Sequence, residues 1–335
     1  MEAYLDNAAT TRVFPEVREM MVHVMEEDFG NPSSKHTKGI TAENYIKEAK
    51  ETICTQLKCK PKEIIFTSGG TESNNMAFIG TAIANRRAGK HVITTRIEHA
   101  SVHEPMAYLE EMGYDVTYLP VDSTGRVSVE ELENAIREDT FLISIMYVNN
   151  EVGSVQPIEQ IGQMLKKKHP QILFHVDAIQ AFGKYKIVPK KLGVDMMSVS
   201  GHKIHGPKGS GFLYVNEKVK IRPILFGGGQ QDGMRSGTEN VPAIAGLGVA
   251  VKEIYTGHLE KRAKLYELKK RLIAGLQDVD GVTINALIDP IEETAPHIVS
   301  VSFANTRSEV MLHALALRSS LLLARKCFIR AAVRQ

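Results

Sequence analysis

The run Ser198-Val199-Ser200-Gly201-His202-Lys203-Ile204-His205-Gly206 sets one lysine, Lys203, among small residues and two histidines, just after an apolar stretch. A lysine that is to bind an aldehyde must lose its proton near neutral pH and be held close to the carbonyl carbon. Twenty-six residues upstream, Asp177 ends the strand-like run Ile172-Leu173-Phe174-His175-Val176-Asp177. Pyridoxal phosphate needs a carboxylate that keeps its pyridine nitrogen protonated and a lysine that holds its aldehyde carbon. Taken singly, a lysine in a Gly-rich turn and an aspartate at a strand end are ordinary surface features, so the weight falls on their neighbours.

Ile64-Ile65-Phe66-Thr67-Ser68-Gly69-Gly70-Thr71-Glu72-Ser73 reads as strand, glycine turn and helix start. That geometry offers free amides and the positive end of a helix dipole to an anion. Gly70 lets the backbone approach and Thr71 adds a hydroxyl, although a plain turn capped by Thr71 would read the same way. The run fits neither the dinucleotide GxGxxG pattern nor the P-loop, so a single phosphate is the anion expected. His99 follows the next strand, where an imidazole can stack on a flat ring and move a proton, or simply enter a helix. Asn149, in Val148-Asn149-Asn150-Glu151-Val152-Gly153, is placed either to bond a ring hydroxyl or to make a turn. Gln180, three residues after Asp177, is aimed at the ring oxygen. Four consecutive strand ends thus carry groups suited to one pyridine ring. The Gly-rich stretch 226–240 carries Arg235 and Thr238 as donors to a further anion, or serves as a flexible lid. His202 and His205 make no metal site without a third convergent ligand, and His205 reads as structural.

The elements that must carry these residues are an alternation of strands and helices. Strands are expected over 63–68, 91–96, 115–121, 141–148, 172–177 and 195–199, with another over 209–215. Ser128 and Glu131 form a capping-box pattern ahead of a helix to about residue 137, and Ile158, Ile161 and Leu165 share one helical face. Such alternation implies an α/β fold with a mostly parallel sheet covered by helices on both sides. Leu265, Leu268, Leu272 and Leu276 then form one stripe of a long helix, with Lys and Arg opposite. A strand over 297–303 and a helix from about Ser308 open a smaller α/β domain. We expect a large cofactor-binding domain over 15–255 and a small domain from 1–14 and 256–335.

The 335 residues are 43% hydrophobic and 24% charged, ordinary for a globular enzyme. A net charge of +2 gives no general case for nucleic acid. Three cysteines, Cys54, Cys59 and Cys327, make no disulfide framework and suit a reducing compartment. With no secretory signal and no apolar run of membrane-spanning length, a cytoplasmic protein with no membrane partner is expected.

Together these motifs resemble the cysteine desulfurases, a branch of the class V aminotransferases with the fold-type I pyridoxal phosphate architecture. The matching pieces are Tyr4-Leu5-Asp6-Asn7-Ala8-Ala9-Thr10-Thr11, Gly30-Asn31-Pro32-Ser33-Ser34, the turn after residue 66, Glu98-His99, Val148 to Gly153, His175 to Gln180, the Lys203 run and residues 227–240. The resemblance implies a seven-stranded-type sheet and a homodimer that turns L-cysteine into L-alanine. It implies that sulfur passes to an enzyme cysteine and on to an acceptor protein for iron–sulfur clusters or thiolation. It makes Lys203 the aldehyde-binding lysine and His99 the stacking, proton-handling residue. Asp177 then pairs with the ring nitrogen, and Asn149 and Gln180 contact the ring. Gly70, Thr71, Ser200 and His202 bind phosphate, and Thr238 reaches the phosphate of a neighbouring subunit.

The resemblance stops near residue 317. Where the family carries a Gly- and Ser-rich loop with the sulfur-accepting cysteine, this chain reads Arg318-Ser319-Ser320-Leu321-Leu322-Leu323-Ala324-Arg325-Lys326-Cys327-Phe328-Ile329-Arg330. No acidic residue follows Glu309, and five basic ones do. We expect an end altered by a frame change. Cys327 falls near the family's cysteine, with Arg325 and Lys326 able to favour its thiolate, but apolar neighbours suit a stiff segment rather than a mobile loop. A selenocysteine lyase or other class V activity and a cofactor-binding pseudoenzyme remain as alternatives.

Overall fold

The structure is a computed structural model that describes residues 3–307, positions 310, 311 and 313, and the dipeptides Leu321–Leu322 and Ile329–Arg330. The helix expected from Ser308 lies largely outside the described residues, and Cys327 lies wholly outside them.

Strand β1 (Ala3–Tyr4) precedes helices α1 (Pro15–Glu26) and α2 (Thr37–Leu57). The main alternation follows: β2 (Ile64–Thr67), α3 (Gly70–Ala84), β3 (His91–Thr95), α4 (Ala100–Glu111), β4 (Asp115–Leu119), α5 (Val129–Ala135), β5 (Thr140–Met146), α6 (Ile158–Lys168), β6 (Leu173–Asp177), α7 (Pro189–Leu192), β7 (Met196–Ser200) and β8 (Gly211–Val215). The strands form one seven-stranded sheet in the order β2-β8-β7-β6-β5-β3-β4. All pairs are parallel except those of β8, which runs antiparallel to β2 and β7. This is the mostly parallel α/β sheet expected. Ser128 caps α5 as read from the sequence, its hydroxyl accepting from the Glu131 amide at 3.2 Å.

The strands β2, β5 and β7 are buried along their whole length, which fits apolar runs covered on both faces. One polar group inside the sheet is satisfied by its neighbours. His175 in β6 bonds Ser144 of β5 at 2.9 Å and Ser198 of β7 at 3.0 Å. Burial pushes its imidazole down to about 3, so it is a neutral tie between three central strands. The register opposes Met146, Asp177 and Ser198 across those strands. Their C-terminal ends therefore open on the same edge of the sheet.

Helix α8 (Val241–Tyr255) packs against α1 and α2, and α9 (His258–Gln277) follows. The expected domain division after residue 255 falls in the short turn between these helices. Beyond it, β10 (Ser300–Phe303) pairs antiparallel with β9 (Val282–Asn285) and parallel with β12 (Ile329–Arg330), while β11 (Leu321–Leu322) pairs parallel with β1. The orientation of α9 departs from the binary pattern. Its buried residues are His258, Tyr266, Lys269 and Ile273, whereas Leu268 and Leu272 are about half exposed, at 49% and 50%. Lys269 can sit inside because its ammonium donates to Thr294 Oγ1 at 2.6 Å and to the Ala295 carbonyl at 2.7 Å.

The crossing of β8 beneath the turn after β2 is tight. A Cβ on Gly211 would stand 2.5 Å from the Val199 carbonyl oxygen and 2.8 Å from Gly69 Cα. Gly211→Ala is therefore expected to destabilise the protein by about 1–3 kcal/mol. Urea unfolding of the variant beside the parent measures this, and equal stabilities would contradict the tight crossing.

Candidate active site

A cavity of about 400 Å³ lies at the C-terminal edge of the sheet. Gly70, Thr71, His99, Asp177, Gln180, Ser200, His202 and Lys203, all read from the sequence, line it. The lining comes from the segments after five strands, β2, β3, β5, β6 and β7, together with Ala8 and Ala9 of the N-terminal segment. This is where open α/β sheets gather ligands.

At one end the first turn of α3 opens on the cavity. The helix starts at Gly70, with Gly69 as its cap at φ 148°, a conformation that favours glycine. Thr71 is thus inside the helix rather than its cap, and its side chain is exposed at the rim. Ser200 stands at the same end, its Oγ 3.6 Å from where a Cβ on Gly69 would lie, and His202 lines the cavity. Burial, then the charges of Lys203 and Lys208, push His202 down to about 4, so its ring is neutral. Its Nδ1 lies 3.2 Å from Thr10 Oγ1.

At the other end Asp177 is 4% exposed. Its Oδ1 accepts from the Ile179 amide and its Oδ2 from Asn74 Nδ2, both at 3.0 Å. Burial raises this carboxyl above its ordinary range, against those two bonds and the charges of His99 and Lys203. Two protein donors leave lone pairs of the carboxylate for a cationic N–H.

His99 is both things that the sequence allowed. It lines the cavity, and it caps α4, its Nδ1 accepting from the Ser101 amide at 3.1 Å. An accepting Nδ1 leaves the proton on Nε2. Ser101 Oγ, 2.9 Å from Nδ1, itself accepts from Asn74 Nδ2 at 3.0 Å. A chain of bonds therefore runs from His99 through Ser101 and Asn74 to Asp177. Sequence reasoning gave no role to Asn74 or Ser101; the available signal was a polar residue at a buried position of α3.

Lys203 sits in the turn after β7, its ammonium donating to the carbonyls of Ala8 at 2.5 Å and Ala9 at 2.9 Å. Gln180 Nε2 also donates to the Ala8 carbonyl, at 2.9 Å, and its Oε1 lies 3.1 Å from His297 Nε2. The N-terminal segment is thus part of the site wall.

Three residues singled out in the sequence stand outside the cavity wall. Asn149 does not line the cavity: its Oδ1 accepts from the Glu151 and Val152 amides at 2.9 Å and its Nδ2 donates to the Ile97 carbonyl at 3.0 Å. Its amide builds the turn, and Asn150 lines the cavity instead. Arg235 pairs with Glu72, with Nε–Oε1 at 2.7 Å and Nη2–Oε2 at 3.3 Å. Thr238 is exposed and is not part of the cavity wall of this chain.

The model of the aminotransferase class V family matches residues 3–322. A cysteine desulfurase IscS of Methanosarcina thermophila is 48% identical over 310 residues, covering 92% of this chain and 75% of that protein. This chain belongs to the cysteine desulfurase branch of the class V aminotransferase family. A putative cysteine desulfurase IscS 1 of Bacillus subtilis is 45% identical, covering 92% of this chain and 80% of that one. Among solved structures, a NifS-like protein superposes with a TM-score of 0.91 at 43% identity, covering 95% of this chain and 86% of that chain. The structure described as SspA in complex with cysteine superposes at 0.79 with 37% identity, covering 96% of this chain and 88% of that one. The fold is accordingly the fold-type I architecture of pyridoxal phosphate enzymes.

One buried acid of this class V chain lies beside the site without lining it. Glu98 Oε1 accepts from Thr95 Oγ1 at 2.8 Å and from the Met146 amide at 2.9 Å, joining the ends of β3 and β5. Burial pushes its carboxyl up to about 8, with the Asp177 charge adding to the rise and the two bonds opposing it. The folded state therefore keeps a proton that the unfolded chain releases above its ordinary value of 4.5. Stability falls as pH rises from that value toward 8, by about 1.4 kcal/mol per unit from this group. Glu98→Gln keeps the acceptor and cannot ionise. Its stability advantage over the parent is expected to grow across that pH window in urea titrations, and a constant difference would contradict a protonated Glu98.

Proposed function

We propose that the chain is a pyridoxal phosphate-dependent cysteine desulfurase that works as a homodimer. The observation that carries this reading is one cavity walled by Lys203 and by the buried Asp177, with anion donors at its far end. The donor set fits the cofactor: hydroxyls, a neutral imidazole and a helix start for a phosphate, and an underpaired buried carboxylate for a basic ring nitrogen. Bound there, the cofactor supplies an aldehyde for an amine and a ring that draws electrons from the amino acid's α carbon.

The chain's own residues do the rest. Asp177 holds a proton on the ring nitrogen, with Asn74 fixing the carboxylate. His99 presents Nε2 with a proton, because Ser101 occupies Nδ1. Gly70, Thr71, Ser200 and His202 hold the phosphate, and Asn150 and Gln180 edge the ring. Thr238, exposed on this protomer, is assigned to the phosphate held in a partner subunit. Lys203, once neutral, takes the proton from the α carbon at Nζ. L-cysteine is the substrate that this reading favours, supported by the solved relative that holds cysteine. A thiolate attacks the substrate sulfur, the carbon–sulfur bond breaks, and alanine and a persulfide remain, from which an acceptor protein draws sulfur. Among the described residues no cysteine lines the cavity, so that thiolate comes from elsewhere in the chain or from solution.

Lys203→Ala is expected to lose the visible absorbance that the parent gains on reconstitution with pyridoxal phosphate, and to release alanine and sulfide at least about a hundredfold more slowly. An unchanged spectrum would refute the assignment. With an excess of a small dithiol as acceptor, Cys327→Ala should keep its rate of alanine release from cysteine. Loss of alanine release in that variant would instead make Cys327 the obligatory carrier.

A further inference from the structure

Helix α2 ends in a left-handed residue, Lys58, at φ 55° and ψ 46°. The amides of Lys58 and Cys59 both return to the Cys54 carbonyl, the second at 3.3 Å. A helix closed this way folds the residue after the left-handed position back over the last turn. Here the two side chains brought together are thiols, and Cys54 Sγ and Cys59 Sγ stand 3.4 Å apart. Both are free cysteines; Cys54 is 7% exposed and Cys59 is half-buried. Bond formation brings the sulfurs from 3.4 Å to about 2.05 Å, across a backbone loop that is already closed.

We propose that Cys54 and Cys59 are a reversible thiol–disulfide pair, an oxidation site separate from the cavity and independent of the cofactor reading. The oxidant is a peroxide. The Cys54 thiolate attacks one oxygen of hydrogen peroxide, the O–O bond breaks, and hydroxide leaves and takes a proton. The sulfur of Cys59 then attacks the sulfenic acid at Cys54, expelling the second oxygen as water. Two thiols have lost two electrons and two protons, and peroxide has become two waters. The local electrostatics suit this order. The hydrogen bond from Cys59 holds the Cys54 thiol below its ordinary value, while that same bond and burial raise the Cys59 thiol. Cys54 is the attacking thiolate and Cys59 the resolving group. The ring so closed is short, which gives the unfolded chain little constraint and keeps the bond easy to reduce. It pins the end of α2 to the turn that leads through Pro61 into β2, the strand that carries the Gly69–Gly70 turn.

Full-length protein is treated with a small excess of hydrogen peroxide, alkylated in denaturant, digested with trypsin and read by mass spectrometry. Peptide 51–58 is expected joined to peptide 59–62, lighter by two hydrogens, and dithiothreitol should separate the pair. The link should persist in Cys327→Ser and vanish in Cys59→Ser, where Cys54 should instead carry oxygen. Separately alkylated peptides in the oxidised parent would overturn the proposal. So would a link that disappears in Cys327→Ser, since the partner would then be the third cysteine.

Discussion

A carboxylate kept out of water must be held by donors or by a cation, and the site is arranged around that requirement at Asp177. The sheet delivers the residue to the end of β6, with β5 and β7 on either side. Two donors, the Ile179 amide and Asn74, do not cancel the cost of burial, because the group's proton affinity is still raised. A positive partner across the cavity would remove the remaining penalty. The same imbalance would favour a cationic N–H beside Asp177. Asn74 matters twice, since its single amide nitrogen orients both the carboxylate and the hydroxyl that fixes the His99 tautomer.

Charge elsewhere around the cavity is kept low by burial, which leaves Asp177 to act as the anion. Glu98 is neutral below about 8, His202 is neutral above about 4, and burial also lowers His297 behind Gln180. Were Glu98 ionised, a second negative charge would stand near Asp177 and raise its proton affinity further. The neutral acid instead ties the ends of β3 and β5, through Thr95 and the Met146 amide. Lys184, half-buried and pushed down to about 8 by burial and then by the Lys203 charge, donates to the Lys203 carbonyl at 2.9 Å. It braces the backbone of the lysine turn.

What could be read from the sequence was whatever depends on strand ends. Strand–helix alternation fixes which residues reach the open edge, so Asp177, Gln180, His99 and Lys203 could be placed before any coordinate. The choice between adjacent residues was another matter. Asn149 and Asn150 have the same chemistry, and only the turn's hydrogen bonds decide that the first supports the loop while the second faces the cavity. The pairing of Arg235 was hidden for a similar reason: its partner, Glu72, lies far away in sequence and is brought close by the Gly-rich stretch. Ala8 and Ala9 belong to a run that matches the family, but their side chains carry no chemistry to read, because they act through backbone carbonyls.

The long helix α9 shows where binary patterning gives the wrong face. A leucine stripe opposite lysines and arginines predicts leucine inward, yet Lys269 is among the buried residues, with Tyr266 and Ile273, and Leu268 and Leu272 border an apolar groove of about 570 Å³. Hydrophobic pattern reports which face avoids water, not what that face meets. Lys269 escapes the rule because Thr294 and Ala295 satisfy its ammonium, while burial lowers it to about 8 and so reduces the cost of keeping it inside. Helix and loop are thereby fixed through polar bonds, and the leucines share the lining of the groove with Leu5 and with Val301 and Phe303 of β10. Because Leu5 directly follows β1 and the same N-terminal segment supplies the Ala8 and Ala9 carbonyls, packing along this groove and the seating of Lys203 are joined by only a few residues of chain.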